Sequence, residues 1–240
     1  MRACIRATKR RQKSQKGQEI IEFGLVSILL VGTFMGSFVT GMNLIRSNQA
    51  NQVCRDLDDM YIHGADFSTY AMQQLAARLA GGLDLEIGSS YTGQKATNTS
   101  NSGNVLVTVS QIMWVGSTTD ANCAAVGAAN CTNHDSFVFT QRIQFGNGTL
   151  TSQQPSSLGD PGSSATISSA GTVANPVTDS AAKLPGSQQT AMQSLWQGSS
   201  SVTTPLQDGQ VCYVMELYAQ SPDLSLGSFP GKGVYARYFF

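Results

Sequence analysis

Charge is scarce in this chain. Only 12% of its 240 residues are Asp, Glu, Lys or Arg, and there are only two histidines, His63 and His134. Fifteen cations balance fifteen acids, and beyond the first sixteen residues the sequence offers no basic stretch. That excludes the patch that nucleic-acid binding needs. The histidines stand far apart, each beside sequence-local acids (Asp58 and Asp59, and Asp135). Such isolated histidines predict surface positions rather than an acid–base pair or a metal site. Asp56, Asp58 and Asp59 lack the spacing and glycine of a calcium loop and read as a solvated helix face. A Gly-x-x-x-x-Gly-Lys phosphate loop and a Gly-x-Ser-x-Gly elbow are both missing. No catalytic residue, metal site or cofactor is expected, and the chain does not read as an enzyme.

An apolar run without charge extends from Phe23 to Ile45, 23 residues. As a helix it spans roughly 35 Å at about 1.5 Å per residue, enough to cross a hydrocarbon core of about 30 Å. Gly32 and Gly36 form a small-xxx-small pair of the kind that lets helices approach closely in lipid. Arg2, Arg6, Lys9, Arg10, Arg11, Lys13 and Lys16 precede the run with no acid among them, and only Arg46 closely follows it. By the positive-inside rule the N-terminus lies in the cytoplasm and the C-terminal part outside it. A cleaved signal peptide would have a shorter apolar region ending at small residues. Here the run is longer and leads into Thr40-Gly41-Met42-Asn43-Leu44.

A plain signal anchor leaves Glu22 unexplained, because an acid at the mouth of a membrane helix costs free energy unless it is paired. The string Gly17-Gln18-Glu19-Ile20-Ile21-Glu22-Phe23, with the apolar run behind it, resembles the processing site of type IV prepilins. Its spacing most resembles the TadE-like proteins of the tight-adherence (Flp) pilus system. The resemblance covers about residues 16–60. It implies that a prepilin peptidase cuts the Gly17–Gln18 bond. Glu22 is then the fifth residue of the mature chain and pairs with the α-amine of a neighbouring subunit. The implied partners are that peptidase, other pilin or TadE/TadF-like subunits bound through the apolar helix, and the membrane. The implied location is a bacterial inner membrane, crossed once, with the outer domain periplasmic or carried into a pilus. Loss of the leader would leave eight cations against fifteen acids, a net charge of −7. The competing class is an uncleaved, single-span anchor for a binding or sensor domain.

Five cysteines divide four to one. Cys4 is in the leader; Cys54, Cys123, Cys131 and Cys212 would lie in an oxidising compartment, where two disulfides with three connectivities are open. Cys123 and Cys131 bracket a small, loop-like run and are the favoured local pair, leaving Cys54 with Cys212. Free buried thiols are the competing reading for that second pair.

The expected fold class is α+β. Residues 1–17 form the leader, residues 18–82 a membrane helix with an amphipathic extension, and residues 83–240 a mainly antiparallel β domain. In the extension, Ala50, Val53, Leu57 and Met60 or Tyr61 share a stripe, Gly64 interrupts, and Asp66 or Ser68 caps a segment with Met72, Leu75, Ala76 and Leu79 on one face. Alternation predicts strands over 105–115, 137–145, 211–219 and 234–240. In the first, the apolar parity flips after Val109, which predicts a bulge near Ser110-Gln111. In the second, Phe137, Phe139, Ile143 and Phe145 fall on one face. Residues 146–210 are Ser/Thr/Gly-rich, with five prolines and only Asp160, Asp179, Lys183 and Asp208 charged. They read as a surface insertion with little core and a short helix near 188–196.

Overall fold

The computed structural model describes residues 2–197, 206–220 and 233–240, with residues 2–19 and 197 as backbone alone. It forms two compact units, Met1–Ile45 and Arg46–Phe240. The class is α+β, with one long N-terminal apolar helix and a mixed sheet of five strands. Helix α1 (Arg2–Ile62) makes the first unit and opens the second. The unit boundary at 45/46 follows from burial. Ala50, Val53, Cys54, Leu57, Asp58 and Tyr61, spaced three and four apart, are all buried. Asp58 is therefore inside, at 0% exposure, and not on a solvated face. It continues the Ala50–Cys54 row one turn further, so the geometry that buries those residues buries it too.

Helix α1 stops rather than kinks. Ala65 N–H donates to Met60 O (3.0 Å) and Gly64 N–H to Tyr61 O (3.0 Å). Gly64 has φ 90°, a conformation that glycine adopts without a Cβ penalty. Helix α2 (Tyr70–Leu79) has Thr69 at its N-cap; Asp66 instead accepts from Ser68 N–H (2.9 Å) and Oγ (2.6 Å) and shapes the preceding turn. The inward face of α2 differs from expectation. Leu75 and Leu79 are 38% and 45% exposed, and Gln73 is buried beside Ala76. Gln73 donates to Phe67 O (2.9 Å) and accepts from Asn98 Nδ2 (2.8 Å). A buried amide at Asn98 needs such a partner, and it outweighs the leucines.

The strands are β1 (Thr97–Ser100), β2 (Val105–Val115), β3 (Ser136–Asn147), β4 (Val211–Ala219) and β5 (Val234–Phe239), in the order β1-β3-β2-β4-β5. Neighbours are antiparallel except β1 and β3, which are parallel. Strand β1 is four polar residues with no apolar alternation, and the sequence gives no sign of it. The bulge lies at the expected level of the ladder but on the other strand. Gln111 pairs with Gln141 and Ile112 with Phe139, so Thr140 of β3 is the extra residue. Strand β2 alternates without interruption. Its apolar residues pass from one face (Val105, Val107, Val109) to the other (Ile112, Trp114), and the bulge lets β3 follow: Ile143 and Phe145 line the first face, Phe137 and Phe139 the second.

Two cores result, on opposite faces of the sheet. The first joins α1, α2 and Phe67 to Val107, Val109, Phe145, Met215 and Leu217. The second joins Ile112, Phe137, Phe139 and Val214 to Leu158, Val173, Leu184 and Met192 of the insertion. Residues 146–210 thus contribute core, contrary to expectation. Their few apolar side chains are spaced by turns so that most reach the sheet. The expected short helix is present as α4 (Gly186–Gln197). The same segment covers the open edge of β3. Gln189 accepts from Phe137 N–H (2.8 Å) and donates to Phe137 O (2.7 Å), and bridges link Val138 to Lys183 and Gln141 to Thr172. Among the charged residues of the insertion, Asp208 accepts from Gly116 N–H (2.8 Å), Asn122 N–H (2.8 Å) and Asn122 Nδ2 (2.9 Å). Burial pushes its carboxyl up, but these bonds outweigh burial and hold it below the usual carboxylate range.

Cys123 and Cys131 are bridged, with Cα atoms 5.1 Å apart. Cys54 and Cys212 are free and buried, which corrects the second expected pair. Cys54 donates to Met215 O (3.4 Å) on the helix side of β4, whereas Cys212 points to the other face, beside Val214. The sheet separates them. Burial first, then the nearby Asp58 carboxylate, pushes the Cys54 thiol up to about 12; burial likewise raises Cys212 to about 12. Thiolates are the reactive form. Both cysteines should therefore resist iodoacetamide in the native protein and react fully in denaturant, as read by intact mass. Rapid native labelling of either one would contradict this burial.

Candidate functional site

Two constellations stand out, one on the apolar helix and one within the sheet. Along α1 the large side chains from Ile20 to Ile45 point outward: Ile20, Phe23 and Ile28 are 72%, 75% and 76% exposed. The helix is long and apolar enough to cross a membrane. Three of its hydroxyls are satisfied internally. Thr33, Ser37 and Thr40 donate to Leu30 O (2.9 Å), Phe34 O (2.8 Å) and Gly36 O (2.8 Å). That arrangement suits an apolar medium, which would offer such groups no partner. Gly32 and Gly36 lie one turn apart, and a Cβ on either would meet nothing within 4 Å. Backbone could therefore approach closely along that strip. Glu22 is exposed one turn after Gln18. Gly17 and Gln18 are helical in backbone, and their side chains lie outside the described atoms.

The second constellation was not anticipated from sequence. Arg142 on β3 and Glu216 on β4 flank β2 on one face, with 6% and 3% exposure. Arg142 donates to Ser110 Oγ (2.5 Å), Gly159 O (2.9 Å) and Asp160 Oδ1 (2.5 Å), and its Nη1 lies 3.7 Å from Glu216 Oε2. Glu216 accepts from Ser157 N–H (2.9 Å), Ser157 Oγ (2.7 Å), Ser156 Oγ and Tyr235 OH. Both of its oxygens are thus engaged within the fold. The network ties the turn at 156–160 to the middle of the sheet. The signal for it was a single charge inside each of two otherwise apolar or neutral strands, since such charges are buried only when paired.

Both histidines are exposed. His63 Nδ1 lies 2.7 Å from Asp59 O, and His134 Nδ1 lies 3.1 Å from Asp135 Oδ2. Among the described residues no group of three or more His, Cys, Asp or Glu could hold a metal ion. Comparisons with family models, curated proteins and solved structures give no match to this chain. What the fold and site define is a class: an α+β domain carried on a helix with membrane-length apolar surface.

Proposed function

We propose that the chain is a minor pilin or pseudopilin resembling the TadE-like proteins, a structural subunit of a tight-adherence pilus or secretion apparatus. One observation carries the reading. Fourteen large hydrophobic side chains from Ile20 to Ile45 have no cover among the described residues, while beyond Arg46 one face of the same helix is buried in its own domain. At roughly 1.5 kcal/mol each, covering them contributes on the order of 20 kcal/mol. Lipid supplies that cover first, and neighbouring subunits' helices supply it after assembly. The basic leader keeps the N-terminus cytoplasmic, a prepilin peptidase removes it after Gly17, and Glu22 meets an α-amine of a neighbour. The Gly32–Gly36 strip sets how closely two helices approach.

N-terminal sequencing of the membrane-bound protein tests the reading. The mature chain is expected to start at Gln18, and Gly17→Trp to leave the leader attached. A wild-type start at Met1 would instead establish the uncleaved anchor. With processing established, Glu22→Ala should still be cut and should fold, but should be lost from purified filaments or assembly complexes. Normal incorporation of that variant would remove the pairing role.

A further inference from the structure

Helix α1 ends at Ile62, and the sheet continues beyond it. What the sheet presents there is a lateral row of three polar side chains. Gln111 of β2 pairs with Gln141 of β3 on one side and with Tyr213 of β4 on the other. The three share the helix-side face, and each is half-buried. They help line a cleft of about 370 Å³ together with Tyr61 and Ile62, the turn Gly64-Ala65-Asp66, Gln94 and Ala170. Its size falls in the range of small-molecule sites, roughly 300–1,000 Å³.

The hydrogen-bonding inventory of the cleft is specific. Tyr61 OH donates to Gln141 Oε1 (2.5 Å), and Gln141 Nε2 donates to Ala170 O (2.8 Å), which fixes that amide and leaves its second N–H open. Gln111 makes a long contact from Nε2 to Tyr213 OH (3.5 Å), so its Oε1 and an N–H are open. Gln94 Nε2 donates to Asp66 Oδ2 (2.8 Å), leaving Gln94 Oε1 open. Tyr61 and Tyr213 meet edge to face with centroids 5.2 Å apart, which stiffens one wall. Neutral donors and acceptors thus alternate over a rigid floor. A hydroxyl group, which donates and accepts at once, matches such a surface. Anions match it poorly. Among the described residues lining the cleft, Asp66 is the only charged one. Burial raises its carboxyl, but bonds from Ser68 and Gln94 outweigh burial and hold it below the usual range.

We infer that this cleft is a binding site for a neutral polyhydroxylated ligand, a saccharide unit, with Gln111, Gln141 and Tyr213 as its floor. Gln111 is the residue whose polar atoms are least committed to the fold, so it should carry the most specificity. The site lies entirely within residues 46–240 and does not depend on leader removal.

Saturation-transfer NMR on the full chain in phospholipid nanodiscs tests this. Sugar-based detergents are avoided, and the probes are neutral mono- and disaccharides, uronic acids and a neutral extended peptide. At least one neutral saccharide is expected to bind in the millimolar range, with no signal from the uronic acids. Gln111→Leu should weaken that binding at least tenfold while leaving the unfolding midpoint unchanged. Gln94→Ala, at the rim, provides a second variant should Gln111→Leu fail to fold, and it should weaken binding severalfold. No saccharide signal, binding undiminished in the variants, or preference for uronic acid or peptide would each overturn the assignment.

Discussion

Glu216→Ala should destabilise the domain by about 3–5 kcal/mol, the usual cost of breaking a buried charge pair from one side. The loss is not that of one contact. Arg142 stays buried with Asp160 as its remaining acid, and Asp160 is 57% exposed and a weaker counter-charge. Ser156, Ser157 and Tyr235 lose their common acceptor at the same time. Chemical denaturation of the full chain in nanodiscs reads the effect, and for a domain of this size the midpoint temperature should drop by roughly 10 °C. Limited proteolysis should open the turn at 156–160 first. The double variant Arg142→Met with Glu216→Leu should recover much of the loss, since apolar replacement of a whole buried pair is often neutral. A single-variant cost below about 1 kcal/mol would mean that the network contributes no more than a surface ion pair.

Asp58→Asn should act in the opposite direction, and only above acid pH. Both carboxylate oxygens of Asp58 are buried without a hydrogen-bond partner. Burial first, and the neighbouring Asp59 second, push its carboxyl up to about 6 from the ordinary 3.8. The sign follows from proton binding. Between about pH 4 and 6 the folded state holds a proton that the unfolded state has released. Stability from this group is therefore fully present below about pH 4, falls as pH rises through that window, and stays lost above it. A shift of this size amounts to about 3 kcal/mol at neutral pH. Asparagine does not titrate, though its amide is also buried, so the net gain at pH 7 should be nearer 2 kcal/mol. Comparing denaturation of the wild-type and variant chains at pH 4, 5, 6 and 7 isolates this group from other acids. Their difference should grow from pH 4 to 6 and then level off. A difference independent of pH would show that Asp58 is ionised with equal ease in both states.

Those two residues also mark where sequence reading succeeds and fails. The long strands were legible because β2, β3 and β4 keep period-2 alternation wherever they face a core. The apolar span, the Gly64 break, the local disulfide and α4 were legible for similar reasons, each being a short-range pattern. Strand β1 was not, because Thr-Asn-Thr-Ser carries no hydrophobic period and exists only by pairing with β3. The bulge was assigned to the wrong strand because a change of apolar parity in β2 has two causes, an extra residue or a core that changes face. One chain segment cannot separate them. Asp58, Leu75 and Leu79 were misplaced because composition predicts which face is apolar, while burial is decided by what the opposing element brings. The Glu216–Arg142 network needs the register between strands 74 residues apart, which no local window contains. In the saccharide cleft, Gln111, Gln141 and Tyr213 are individually unremarkable residues, and only the three-strand register makes them a row.

The change of face has a consequence for folding. Strand β4 serves both cores, with Met215 and Leu217 in one and Cys212 and Val214 in the other. Until β4 pairs with β2, neither side of the sheet is complete. A chain that lacks β4 and β5 is therefore left with apolar surface exposed on two sides at once. The vulnerable interval in folding is set by the two last strands of the chain.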